Sequence, residues 1–313
     1  MFFWFLTLSI LMSLSSSSLF FLWICLEVNM MSFIPLMFNK NLFSMNGIIS
    51  YFLIQSISSS FYIFSISILF LNPFFLKYIT FFVLLSMLIK LGASPFHMWL
   101  PQVSESLTYN NLVIFLTIQK IIPLQILSIF KNYYIIIPII LSSAMGAMGG
   151  FNQFSIRKIL AFSSISHLAW MMTLLMLCSN LWIIYMTIYL CIIMMITTIL
   201  KKHKINFFNF SKKNNPSINL MLIILLLSLG GMPPTIGFIM KWMTLKIILS
   251  NFMVISIPLI ASSLVNLYFY LRLIHNAMFK YLNSYKWEKF SSYNFLLFTI
   301  FQMTSIFIMI PLI

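Results

Sequence analysis

Lys90, Lys120 and Lys241 each stand inside a long apolar run, and Glu27 is the one carboxylate in a similar setting. An ammonium at the centre of a membrane-spanning helix costs about 2.5 to 3.5 kcal/mol on insertion scales, so such residues are rare and face a partner or a water-filled path. Three amines and one carboxylate inside apolar spans point to proton movement. His167, in the run Ser163-Ser164-Ile165-Ser166-His167, joins them because an imidazole titrates in the physiological range and serines can hold water. It is the candidate bridge between Lys120 and Lys241. A hydrogen-bonded packing histidine is the blander reading, and both stand open at this point.

The elements that must position these residues are membrane helices. Of 313 residues, 62% are hydrophobic and 7% charged, with 34 Phe and 24 Met, and the mean hydropathy is +1.05. No stretch reads as a soluble domain, so residues 1–313 are expected to form one transmembrane, all-α domain. The net charge of +15 does not imply nucleic acid, because the basic residues lie in short loops between spans instead of gathering on one solvent face. Cys25, Cys178 and Cys191 show no metal or redox spacing. The start, Met1-Phe2-Phe3-Trp4-Phe5, shows neither a basic region before an apolar run nor an Arg-rich amphipathic leader, and the chain is expected to be inserted where it is made. Heavy use of Phe, Ile, Met, Asn and Lys fits an AT-rich genome such as an organelle's.

Cutting the apolar runs at polar, Pro and Asn punctuation predicts about eleven spans. They cover 2–16, 18–38, 46–71, 74–99, 108–130, 133–150, 156–178, 180–200, 217–249, 253–279 and 293–312. With the N-terminus on the insertion side, eleven of the eighteen basic residues fall in loops on that side, which supports the parity of the count.

Two of these spans carry the same interruption. Leu91-Gly92-Ala93-Ser94-Pro95 and Leu229-Gly230-Gly231-Met232-Pro233 share the form L-G-x-x-P, five helices apart and therefore oppositely directed. Corresponding breaks in opposed halves are the mark of an inverted repeat with its site near the membrane midplane. Pro95, Pro233 and Pro123 each lack an N–H, which should free the carbonyls of Leu91, Leu229 and Gln119 for water or a side chain. Simple packing kinks are the alternative.

The motifs resemble a known family, subunit 2 of mitochondrial NADH:ubiquinone oxidoreductase (respiratory complex I), an antiporter-like membrane subunit. The resemblance rests on Leu26-Glu27-Val28-Asn29-Met30-Met31-Ser32-Phe33-Ile34-Pro35, Lys90-Leu91-Gly92-Ala93-Ser94-Pro95-Phe96-His97-Met98-Trp99 and Thr117-Ile118-Gln119-Lys120-Ile121-Ile122-Pro123. It continues through Gly149-Gly150-Phe151-Asn152-Gln153, Arg157-Lys158-Ile159-Leu160-Ala161, the run from Leu229 to Phe238 leading into Lys241-Trp242, and Asn266 to Leu273. It covers roughly 5–275 in order and leaves out the last forty residues. It implies eleven helices, a charged pair of Glu27 with Lys90, a central proton carrier in Lys120 and a terminal one in Lys241. It also implies the mitochondrial inner membrane, basic loops and N-terminus in the matrix, and the C-terminus in the intermembrane space. NADH, flavin, iron–sulfur clusters and ubiquinone would then belong to partner subunits, with no cofactor on this chain. Other membrane and accessory subunits and phospholipids would surround it.

The physics of such an axis is quantitative. Two unit charges about 4 Å apart at an effective dielectric of about 20 interact by roughly 4 kcal/mol, or about three pKa units. Moving one charge against ~180 mV takes a similar energy, so a Glu27–Lys90 contact could gate one proton. His97 is expected to order a bend at the membrane surface, Glu105 to sit in a surface or subunit contact, Arg272 to snorkel, and His203 and His275 to be solvated. A stand-alone cation/proton antiporter would share the broken helices and lysines. A haem carrier lacks facing histidine pairs, and a purely structural membrane subunit would make the lysines dispensable.

Overall fold

The computed structural model describes residues 1–71, 76–130, 133–177, 179–203, 216–233 and 235–279. Among these the regular elements are all helical. In chain order they are α1 (Phe2–Ser15), α2 (Leu19–Met37), α3 (Leu42–Leu71), α4 (Leu76–Leu91), α5 (Trp99–Ser106), α6 (Tyr109–Leu116) and α7 (Ile118–Ile129). After a single turn at Tyr133–Ile135 come α8 (Ile136–Phe151), α9 (Ile156–Met176), α10 (Leu181–Lys202), α11 (Pro216–Gly230), α12 (Ile236–Asn251) and α13 (Met253–Phe279).

Seven stretches are long and apolar enough to cross a membrane: Leu19–Met37, Leu42–Leu71, Tyr109–Ile129, Tyr133–Phe151, Ile156–Met176, Leu181–Lys202 and Met253–His275. Shorter apolar helices, Phe2–Ser15, Tyr78–Leu91 and Leu220–Gly230, stand beside them. The chain is a multi-pass, all-helical membrane protein. The expected last span, 293–312, and Cys178 lie outside the described residues.

One helix organises the rest. All but three of the 21 residues of α9 are buried, and α9 packs against α5, α6, α7, α8, α10, α12 and α13. Its sequence permits this because Ala161, Ser163, Ser164, Ser166 and Ala169 are small, and small residues let membrane helices approach closely. A side chain at Gly146 of α8 would meet the Ser166 nitrogen at 2.7 Å and the Phe162 carbonyl at 3.0 Å, so the two backbones are nearly touching. The buried hydroxyls are satisfied within the helix: Ser163 donates to Leu160 O at 2.9 Å, Ser164 to Ala161 O at 2.6 Å and Ser166 to Ser163 O at 2.7 Å. Where no water is at hand, that internal pairing is what makes polar side chains tolerable.

Three expected spans are interrupted, and the expected boundaries shift accordingly. The fourth, placed at 74–99, is helical only to Leu91, then turns and resumes as α5. The ninth divides into α11 and α12. Both breaks end the same way, at a glycine in the left-handed region, Gly92 at φ 66° and Gly231 at φ 81°. The Ala93 N–H donates to Leu88 O at 3.1 Å and the Met232 N–H to Leu227 O at 3.2 Å, which is the Schellman cap at each site. Beyond the cap they differ, since the Ser94–Pro95 peptide is cis.

The fifth span breaks too, making a third discontinuity where two were expected. Its break is at Thr117 (φ −121°, ψ −72°) between α6 and α7, and not at Pro123, which lies inside α7. The Thr117 hydroxyl donates back to Val113 O at 2.6 Å, a back-bond of the kind that bends helices.

Candidate proton path in the membrane core

Lys90 occupies the last turn of α4 and is only 6% exposed. Its Nζ donates to the Gln55 carbonyl at 3.4 Å, and Gln55 Nε2 donates to the Lys90 carbonyl at 3.2 Å. The Trp99 indole donates to Ile89 O at 3.2 Å. The carbonyls that receive side-chain donors at this break are therefore Ile89 and Lys90, in place of the expected Leu91. The reason is that the helix ends at Gly92, three residues ahead of Pro95, so its final turn is what lies open.

Glu27 does not reach Lys90. Among the described residues the ion pair within 4 Å is Lys158–Glu105, at 2.6 Å, and the Glu27 side chain on α2 is half-buried. The 4 Å contact expected from the sequence is therefore not made.

Lys120 sits in the first turn of α7, 3% exposed, and its Nζ donates to the Ser164 carbonyl of α9 at 3.4 Å. His167 lies one turn along the same helix and is 1% exposed. Its Nδ1 pairs with the Tyr185 hydroxyl of α10 at 2.7 Å, while its buried Nε2 has no hydrogen-bond partner among the described residues.

Lys241 belongs to α12 but turns back, and its Nζ donates to the Gly230 carbonyl at the end of α11 at 2.7 Å. Here the carbonyl served is one residue after the expected Leu229, whereas at the first break those served precede the expected Leu91. Lys90 precedes its break and Lys241 follows its own, yet each ammonium lies at the C-terminal end of a half-helix. That end carries the negative pole of the helix dipole, worth roughly 0.3 to 1 kcal/mol to a cation and up to ~2 kcal/mol when partly buried. Breaking a helix inside the bilayer thus creates a place for an ammonium.

Around His167 the polar groups are incompletely paired. Among the described residues the Trp170 Nε1 and Asn266 Oδ1 are buried without a hydrogen-bond partner, although Asn266 Nδ2 donates to Ser166 Oγ at 2.6 Å, and the Tyr189 and Tyr270 hydroxyls are buried beside them. The Tyr189 ring lies 4.9 Å from the imidazole. Such a cluster has the chemistry of a site that takes up water, which needs two to four polar partners.

Sequence reasoning missed Gln55, Tyr185, Tyr189 and Asn266. A signal was present for the amides, since Gln55 and Asn266 stand in apolar runs as conspicuously as the lysines. Elsewhere, Glu105 lies in the helix α5 and not in a loop, and it pairs with Lys158 at a partly exposed position. Arg272 donates to the Gln153 carbonyl, in the loop between α8 and α9, at 3.1 Å. His97 Nδ1 is 3.2 Å from the Pro95 carbonyl in the turn before α5. Cys25 is buried and Cys191 exposed, both as free thiols, and among the described residues no three His, Cys, Asp or Glu gather as a metal site.

The family model for the NADH:quinone oxidoreductase/Mrp antiporter transmembrane region matches residues 16–266. NADH-ubiquinone oxidoreductase chain 2 of Rhipicephalus sanguineus is 42% identical over 296 residues, covering 93% of this chain and 91% of the relative. The chain belongs to this family. The chain 2 protein of Anopheles gambiae is 38% identical over 297 residues (91% and 87% of the two chains), and that of Lemur catta 34% over 295 residues (88% and 85%). A chain of respiratory complex I from Thermus thermophilus superimposes with a TM-score of 0.78 at 18% identity, over 87% of this chain and 68% of that one. A chain of the Mrp complex from Dietzia sp. gives 0.79 at 17% identity, over 86% and 58%. At these identities the structures establish the antiporter-like fold alone, and the relationship to chain 2 comes from the sequences.

Proposed function

We infer that this chain is a proton-translocating membrane subunit of NADH:ubiquinone oxidoreductase, placed multi-pass in the inner membrane and driven by quinone reduction elsewhere in the complex. Its near full-length identity with chain 2 proteins carries the assignment. Redox centres belong to partner subunits in this reading. The chain forms one membrane domain over 1–313, with eleven spans and an inverted repeat supported by the shared Gly92 and Gly231 caps. The basic loops and N-terminus face the matrix, as the distribution of Lys and Arg supports.

Within that role the proton carriers are Lys90, Lys120, His167 and Lys241, with Glu27 as the charged neighbour that biases the first. A proton released by the Lys90 ammonium leaves a neutral amine and makes the Lys120 amine an ammonium. With its Nδ1–H donated to the Tyr185 oxygen, His167 offers Nε2 as a free base, which accepts the proton from Lys120 and passes it to Lys241. Water among Tyr189, Tyr270 and Asn266 bridges the distances between these groups. The single observation that carries this path is the juxtaposition on α9, where Lys120 rests on Ser164 and His167 follows one turn later.

Two measurements test the reading. Native-gel separation of mildly solubilised membranes should place this chain in the NADH-oxidising band; migration elsewhere would promote a stand-alone antiporter, which the Mrp likeness keeps as the second reading. In the assembled enzyme, Lys120→Met should lower the protons moved per electron pair, and an unchanged ratio would end the carrier role of Lys120.

A further inference from the structure

Asn29, Tyr51 and Gln119 come from three separate spans and share one chain of hydrogen bonds. Gln119 Nε2 donates to Asn29 Oδ1 at 3.0 Å, and the Tyr51 hydroxyl donates to Gln119 Oε1 at 3.0 Å. Asn29 is 2% exposed and Tyr51 1%. Gln119 is the residue before Lys120, and Tyr51 lies one turn before Gln55, the partner of Lys90. The chain therefore stands between the two lysines.

The turn that Gln119 belongs to is poorly held by its own helix. It follows the Thr117 break, and its cap residue Thr117 makes no side-chain capping bond. Pro123 has no N–H to offer the Gln119 carbonyl. Two side-chain bonds to α2 and α3 thus weigh heavily in deciding where this turn sits. Tyr51 is itself fixed among Phe33, Phe115 and Trp99, at centroid distances of 5.4, 6.2 and 6.3 Å. Since the Trp99 indole donates to Ile89 O at 3.2 Å, the chain ends on the last turn of α4, which carries Lys90.

We propose that Gln119 is a positioning residue: bound by Asn29 and Tyr51, it fixes the first turn of α7 so that Lys120 faces Ser164, and it ties that turn to the broken end of α4. A carboxamide has no proton to give up or take at physiological pH, so Gln119 acts through Lys120 and is not itself a carrier. A rearrangement at the Lys90 break reaches Lys120 through Trp99, Tyr51 and Gln119. The inference rests on the reading of Lys120 as a carrier.

The test uses the assembled enzyme in liposomes, comparing Gln119→Leu, Tyr51→Phe and Lys120→Met. Protons moved per electron pair are measured beside NADH oxidation by an artificial acceptor and enzyme content on native gels. Tyr51→Phe removes only the donor hydroxyl and keeps the ring among its aromatic neighbours. It should preserve enzyme content and acceptor-linked oxidation while lowering the proton ratio, with Gln119→Leu lowering it further, towards the Lys120→Met value. If both variants keep the parent ratio while Lys120→Met loses it, the positioning role is overturned. If Lys120→Met also keeps the ratio, the carrier reading fails instead. Should Gln119→Leu not assemble, Tyr51→Phe decides alone.

Discussion

The ammonium of Lys241 donates to the carbonyl of Gly230, eleven residues earlier in the chain, at 2.7 Å. The bond closes the break between α11 and α12 and satisfies a backbone acceptor left open where α11 ends at Gly230 and Gly231 turns left-handed. A charge and a helix end that would each be costly in a bilayer are disposed of together.

Gly231 is the hinge of that arrangement. A β-carbon there would stand 2.8 Å from Lys241 Cδ and 2.9 Å from its Nζ, on a residue at φ 81°. Gly231→Ala should lower the proton-to-electron ratio as well as the enzyme content, because it strains the cap by about 1 to 2 kcal/mol and displaces the lysine. Gly92→Ala meets Leu100 and Trp99 instead, so it should reduce enzyme content mainly. Native-gel content measured beside proton pumping separates the two.

Tyr185→Phe would remove the hydroxyl bonded to His167 Nδ1 at 2.7 Å and leave a buried imidazole with neither nitrogen paired. An unsatisfied buried polar group costs about 1 to 3 kcal/mol. Quinone-coupled turnover should slow by roughly tenfold, the equivalent of about 1.4 kcal/mol, with oxidation of NADH by an artificial acceptor unchanged.

At the N-terminus of α9, Arg157 Nη1 donates to Glu105 O at 2.9 Å and its guanidinium stands 4.9 Å from the Tyr109 ring centroid, beside the Lys158–Glu105 pair. Arg157→Ala should destabilise the enzyme by about 1 to 3 kcal/mol, since it removes a charge-assisted bond and a cation–π contact together. Glu105→Gln should cost no more than about 1 kcal/mol, because both partners of that pair are partly solvated. Hydrogen exchange of α5 and α9 amides is the readout, with faster exchange expected in Arg157→Ala.

Gly146→Val would drive a branched side chain into the Ser166 nitrogen and Phe162 carbonyl, 2.7 and 3.0 Å from a β-carbon. Since the obstacle is backbone, α8 and α9 must separate. Loss of the assembled enzyme on a native gel is the expected outcome, with Gly146→Ser, which ends in one small atom, impaired less.

Hydropathy and helix-breaking residues were enough to locate most spans, the two Gly-Pro breaks and the three membrane lysines, because each of these is a local property of a few consecutive residues. Glu27 was legible as a rare intramembrane charge, but its failure to touch Lys90 was not. Whether two such side chains meet depends on the rotation and tilt of α2 against α4, which no short window records. The third break, at Thr117, was not legible for a related reason: the missing N–H of Pro123 is visible in the sequence, whereas the back-bond of Thr117 exists only once α6 has folded.

By itself, then, the sequence determined a multi-spanning helical membrane protein, its family and the rare charges that its function must use, since the bilayer penalises every polar residue that lacks a purpose. The tertiary structure alone decided the partners: Lys90 with Gln55, Lys120 with Ser164, Lys241 with Gly230, His167 with Tyr185. All four pairs join different helices, and hydrogen bonds of about 3 Å require close packing of backbones that only the small residues of α9 and the broken ends of α4 and α11 allow.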